Sequence, residues 1–144
     1  MKRPLAYISC ALEKGNIQQQ TEMTNYCRTV YEAGYFPICP PLFLPYFIRD
    51  EIPAEHKDGI DMSRDLLKRC HVLVVCGKEI DEGVKNEIAI AQRLKITATT
   101  LEGIMTIKKQ GQDANELVQN FIVSPDEINK ESRYLKRSRS EERV

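Results

Sequence analysis

Short apolar runs and longer amphipathic stretches alternate along the first hundred residues of the chain. "PLAYIS" (4–9) reads as a strand, and "NIQQQTEMTNYCRTVYEAG" (16–34) as a helix. Asn16 stands at the N-cap position of that helix, Gln19 at the capping-box position, and Gly34 is its stop. "YFPIC" (35–39) predicts a short second strand. "HKDGIDMSRDLLKRC" (56–70) predicts a second helix with Ile60, Leu67 and Cys70 on one face. "HVLVVCG" (71–77) is short and apolar on both sides, as strands covered by helices are. A third helix over "DEGVKNEIAIAQRL" (81–94) and a fourth strand over "KITATT" (95–100) follow. Strands and helices alternating at this spacing imply right-handed parallel crossovers. The expected fold class is therefore α/β, a doubly wound parallel sheet of flavodoxin/Rossmann-like type.

Two segments break the rhythm. "PPLFLPYFIRDEIP" (40–53) carries four prolines among large apolar and aromatic residues, too punctuated for a helix or a central strand. It predicts a long loop at the carboxyl end of the second strand, the side on which such sheets bind ligands. Beyond residue 100, "LEGIMTIKKQ" and "DANELVQNFIV" read as helices, and "INKESRYLKRSRSEERV" (128–144) is a solvated charged end. The expected organisation is one domain over 1–123 with a charged, flexible tail over 124–144.

Composition narrows the classes of function. The 144 residues balance 21 Lys and Arg against 21 Asp and Glu, so nothing global favours nucleic acid or an anionic membrane. No apolar run approaches the roughly 18 residues of a membrane helix, and "MKRPLAYISC" passes into a strand without a signal-peptide pattern. A cytoplasmic protein is expected, without a nucleic-acid or membrane partner. The five cysteines are scattered with no C-x-x-C, and His56 and His71 are the only histidines, which argues against a zinc site and a disulfide scaffold. No metal or redox cofactor is expected. Cys10, Cys39 and Cys76 lie at strand ends, so a nucleophilic thiol competes there with the plainer reading of packed small hydrophobes.

The third helix holds the most informative residue. Val84, Ile88, Ala91 and Leu94 share one face, Lys85, Asn86, Gln92 and Arg93 the other, and Glu87 falls in the middle of the apolar face. A carboxylate there is either desolvated at a cost or facing a pocket. Tyr7 and Ser9 end the first strand on the same edge of the sheet, and Asp81 and Glu82 precede Gly83, which admits a ligand close to the backbone. The positive end of the helix dipole helps to hold Glu87 ionised. Alternatively, Glu87 bonds to Tyr7 or a free backbone N–H and closes a core. On the second helix Ser63 faces inward, whereas Asp61 and Asp65 project to solvent.

These residues resemble the nucleoside 2-deoxyribosyltransferase-like superfamily, which includes the deoxynucleoside 5′-monophosphate N-glycosidases. The resemblance spans roughly residues 5–100 and centres on "GVKNEIAIA" (83–91), supported by "AYIS" with Tyr7 and by "LLKRC" before the apolar strand. It implies that Glu87 is a nucleophile that attacks the anomeric carbon of a 2-deoxynucleoside, with Tyr7 as its hydrogen-bonding partner. A covalent deoxyribosyl intermediate then passes to another base or to water. Ser9, Ser63, Asp81, Gly83, Phe43 and Tyr46 would bind the substrate, the last two with Phe47 as a lid or stacking wall. The resemblance also implies a homo-oligomer whose sites are completed across an interface.

Two departures qualify what is implied. Family enzymes commonly place an Asp eight residues before the next strand, where this chain has Ser63 ahead of His71, a poor proton donor for a leaving base. Phosphate-accepting members offer serine before the glycine, where this chain has Asp81 and Glu82. That pair repels a 5′-phosphate and favours a nucleoside or a differently shaped ligand. The alternative is a module that binds a nucleotide or nucleotide-derived signal with little or no catalysis. A third reading is a protein-interaction element built on the charged tail and the Pro-rich loop.

Overall fold

The computed structural model describes residues 2–13 and 16–106 of the chain. In chain order the elements are β1 (Leu5–Cys10), α1 (Gln18–Glu32), β2 (Phe36–Ile38), α2 (Pro53–Lys68), β3 (Val72–Cys76), α3 (Glu82–Arg93) and β4 (Thr97–Thr100). The chain is helical again over 101–106. All four strands are parallel, in the order β2-β1-β3-β4.

Side chains alternate across a strand, so each strand feeds two faces. On one face Ala6, Ile8, Val72 and Val74 pack against Met23 and Val30 of α1 and against Ile104. On the other, Tyr7, Leu73, Val75 and Ala98 pack against Leu67 of α2 and Val84, Ile88 and Ala91 of α3. Helices on both faces make the sheet doubly wound. Every residue of β3 is buried, which anchors the sheet, because each Val or Leu taken from water stabilises by about 1.5–3 kcal/mol.

From β1 the chain leaves through α1 to β2 on one side, and from β2 it returns through α2 to β3 on the other. The direction of winding therefore reverses at β1. The crevice beyond the carboxyl ends of β1 and β3 lies at that switch point.

Several boundaries differ from the sequence expectation for local reasons. The regular bonding of α1 starts at Gln18, with Ile17 before it in helical φ/ψ and making no side-chain bond, and Asn16 Oδ1 accepts from the Gln18 N–H at 3.0 Å, as a capping side chain does. Gln19 instead clamps the segment leaving β1, accepting from the Glu13 N–H at 2.8 Å and donating to the Ala11 carbonyl. Gly34, at φ +102°, ends α1 as expected.

The second helix starts earlier than residue 56, at Pro53, whose ring suits a first turn that needs no N–H. Its inner face runs through Gly59, Ser63 and Leu67, while Ile60 is 40% exposed, because Leu44 and Ile48 of the preceding loop lie over Gly59. Within that loop Pro40–Leu42 and Leu44–Tyr46 form single 3-10 turns. At the end of α3, Leu94 is half-exposed and Ile90 is buried. Lys95 takes a left-handed φ of +58°, and the Ile96 N–H returns to the Ala91 carbonyl at 2.8 Å, so β4 begins only at Thr97. No helix among the described residues is long and apolar enough to cross a membrane. The expected helix over 113–123 and the tail over 124–144 lie outside the described residues.

Candidate active site

The site begins with the alternation of β1. Tyr7 and Ser9 are two residues apart, so both side chains leave the face covered by α2 and α3, and both are almost wholly buried. The Tyr7 hydroxyl donates to Glu87 Oε2 at 2.6 Å, and the Ser9 hydroxyl donates to Glu87 Oε1 at 2.6 Å. Those distances are typical of hydroxyls bound to an ionised carboxylate. Glu87 therefore has each oxygen held by one strand hydroxyl.

The entry to α3 is fixed by Asp81. Its Oδ1 accepts from the Val84 N–H at 2.9 Å, and its carbonyl accepts from the Lys85 N–H at 3.0 Å. Its other oxygen, Oδ2, accepts from the Leu12 N–H at 3.2 Å. One side chain thus caps the helix and ties it to the segment that follows β1.

Opposing influences act on Glu87. Burial is the largest and raises its pKa above the ordinary 4.5; the hydrogen bonds from Ser9 and Tyr7 lower it, Asp81 raises it, and Arg64 lowers it. The outcome is a raised pKa. Tyr7 is pushed far above the ordinary phenol range by burial, then by the Glu87 charge and hydrogen bond, so it remains a donor. Ser63 of α2 offers its hydroxyl to the same phenol oxygen, which acts in the opposite direction. Cys10 is pushed up to about 12 by burial, with Glu87 and Asp81 adding to the effect, which keeps it a thiol and disfavours a thiolate nucleophile there.

Above these groups lies an open cleft of about 70 Å³, with Tyr7 and Glu87 at its base and Asp81 and Gly83 along one wall. Cys10, Leu12 and Pro41 contribute to the rest. Its volume admits a few waters and is well short of a pocket that encloses a whole drug-sized ligand.

Of the residues singled out from sequence, Tyr7, Ser9, Asp81, Gly83 and Glu87 thus meet at one place. Ser63 reaches it only through Tyr7. Phe43 and Tyr46 are 40% and 80% exposed and do not line the cleft; the loop contributes Pro41 instead. Ser9 was expected to face substrate, and it holds Glu87. Leu12, Pro41 and Arg64 carry no sequence signal that points to the site, whereas Cys10 has one as a strand-end thiol. The strand alternation that places Tyr7 also places Ser9, whereas nothing local marks Pro41 or Leu12. Among the described residues no group of three or more His, Cys, Asp or Glu is placed to hold a metal ion.

The fold and site define an α/β protein with a hydroxyl-clamped carboxylate at the switch point of a parallel sheet. By sequence, the chain belongs to the DUF7768 family, a domain of unknown function, which it matches over residues 4–101. No curated protein matches it. Among solved structures it is similar to the Trypanosoma brucei CTPS glutaminase domain with bound acivicin, at 15% identity and a TM-score of 0.33. That likeness covers 76% of this chain and 41% of the other, so this chain spans less than half the length of that protein. A likeness of this size transfers neither activity nor ligand.

Proposed function

We propose that the protein cleaves or transfers the N-glycosidic bond of a 2-deoxynucleoside or related nucleoside, with Glu87 as nucleophile. The carrying observation is the clamp on Glu87, with both oxygens bound by hydroxyls at 2.6 Å at the base of an open cleft. A glycosidase nucleophile must be anionic, oriented and accessible; the two hydrogen bonds orient Glu87 and act against the effect of burial on its charge, and the cleft leaves it open to a ligand. Attack on the anomeric carbon expels the base and leaves a deoxyribosyl ester on Glu87. A second base or water then attacks the same carbon and frees the carboxylate. The carboxylate of Asp81, which lines the cleft, would repel a 5′-phosphate, and this favours a nucleoside over its monophosphate. The reading places the protein in the cytoplasm, where nucleosides are handled, and as a homo-oligomer.

The alternative is a module that binds a nucleotide-like ligand without turnover. Ser63 favours it, because a hydroxyl facing Tyr7 is no acid for a leaving base.

The deciding experiment is chromatography of a panel of 2-deoxynucleosides and their 5′-monophosphates, incubated with and without an excess of a second free base. Glu87→Ala serves as control. Released base or an exchanged nucleoside, absent in the variant, is the expected result, and a denatured-protein mass spectrum should carry a deoxyribosyl adduct. No turnover across the panel, with a ligand that raises the melting temperature, would establish the binding module instead.

A further inference from the structure

The carboxylates of the cleft are arranged to accept. Asp81 takes one backbone N–H on each oxygen, at 2.9 and 3.2 Å, and Glu87 takes one hydroxyl on each, at 2.6 Å. Four donors fixed in the folded chain thus face the two carboxylates, one to each oxygen. Asp81 and Glu87 both line the cleft, and no Lys or Arg among the described residues does. Among the described residues, the O–H and S–H groups at Glu87 and the cleft are those of Tyr7 and Ser9, which both donate to Glu87, and the thiol of Cys10, held at about 12. None of them is the near-neutral acid that protonation of a leaving base requires.

We infer that the cleft prefers N-glycosides whose heterocycle is already cationic, such as an N-alkylated purine or an N-glycosyl pyridinium, over neutral nucleosides. The inference rests on the glycosidic reading above. The chemistry balances without an acid. A Glu87 oxygen forms a bond to the anomeric carbon, and the carbon–nitrogen bond breaks with its electron pair moving to the ring nitrogen. The heterocycle loses its positive charge and leaves as a neutral molecule. Water then forms its bond to the anomeric carbon, the ester electron pair returns to Glu87, and the water proton passes to solvent. Asp81 and Glu87 attract the cationic ring before the reaction, and the charge it carried no longer holds it afterwards.

The test compares 7-methyl-2′-deoxyguanosine with 2′-deoxyguanosine on the full chain, each corrected for uncatalysed loss and for Glu87→Gln. The methylated nucleoside should have a kcat/KM at least about 100-fold higher, the smallest factor that general acid catalysis usually contributes. At pH values where the methylated ring keeps its own proton, the profile should rise towards a plateau as Glu87 ionises. Comparable kcat/KM values there would reveal a working acid and overturn the inference while leaving the glycosidic reading intact. Cleavage of neither compound would overturn that reading and the inference with it.

Discussion

Tyr7→Phe isolates one half of the clamp. The substitution keeps the ring among Leu73, Val75 and Val84 and deletes only the oxygen that donates to Glu87 Oε2 at 2.6 Å. A hydrogen bond to a charged group contributes about 1.5–3 kcal/mol, and a neutral one about 0.5–1.5 kcal/mol. The variant should therefore lose about 1.5–3 kcal/mol of unfolding free energy at pH 7, read from urea midpoints at unchanged m. The loss should shrink as pH falls. With one donor removed, the folded pKa of Glu87 rises further, so the deficit is largest where Glu87 is ionised and declines as it takes up a proton. In a Glu87→Gln background the same change should show no such pH dependence. A deficit below about 0.5 kcal/mol, or one that is constant with pH, would refute a clamp on an ionised carboxylate.

Three further outcomes are expected. Glu87→Gln should be more stable than the parent at neutral pH: the raised folded pKa means that Glu87 favours folding below its ordinary 4.5, and this contribution is lost as pH rises through the folded value. The gap between the two proteins should thus open with increasing pH in denaturation curves, and a gap that closes would contradict the burial argument. Asp81→Ala should cost about 0.5–2 kcal/mol through the lost cap, with Asp81→Asn recovering most of it, measured by thermal unfolding. Leu73→Ala, at a position with no solvent exposure, should cost about 2–5 kcal/mol by chemical denaturation.

The fold was legible where hydrophobic period and length agreed. "HVLVVCG" could only be a strand covered on both faces, and β3 is buried throughout. Glu87 stood out because a carboxylate interrupted the inner face of an otherwise regular helix. Less legible was anything decided by contact across the chain. Ile60 has the spacing of a core residue, yet Leu44 and Ile48 from the loop shift the inner face of α2 towards Gly59. Gln19 has the spacing of a capping box, but its amide finds better partners in the segment after β1. Phe43 and Tyr46 looked like ligand contacts because aromatic loops often are, whereas the backbone path of two 3-10 turns brings Pro41 to the cleft. Periodicity reports which way a side chain faces along its own element. It carries no information on which remote segment covers it.

The clamp also has a consequence for biosynthesis. Tyr7 and Ser9 lie 80 and 78 residues before the carboxylate that satisfies them. At about 5–20 residues per second, a ribosome needs roughly 4–16 s to make the intervening chain. Throughout that interval β1 has emerged with two hydroxyls whose acceptor does not yet exist. They remain bonded to water, and burying the strand early would strand them. The edge of β1 that will pair with β3 stays open for the same period, a template for neighbouring nascent chains. Production of this protein should therefore be sensitive to translation speed and to holding chaperones, and more so than its final stability suggests.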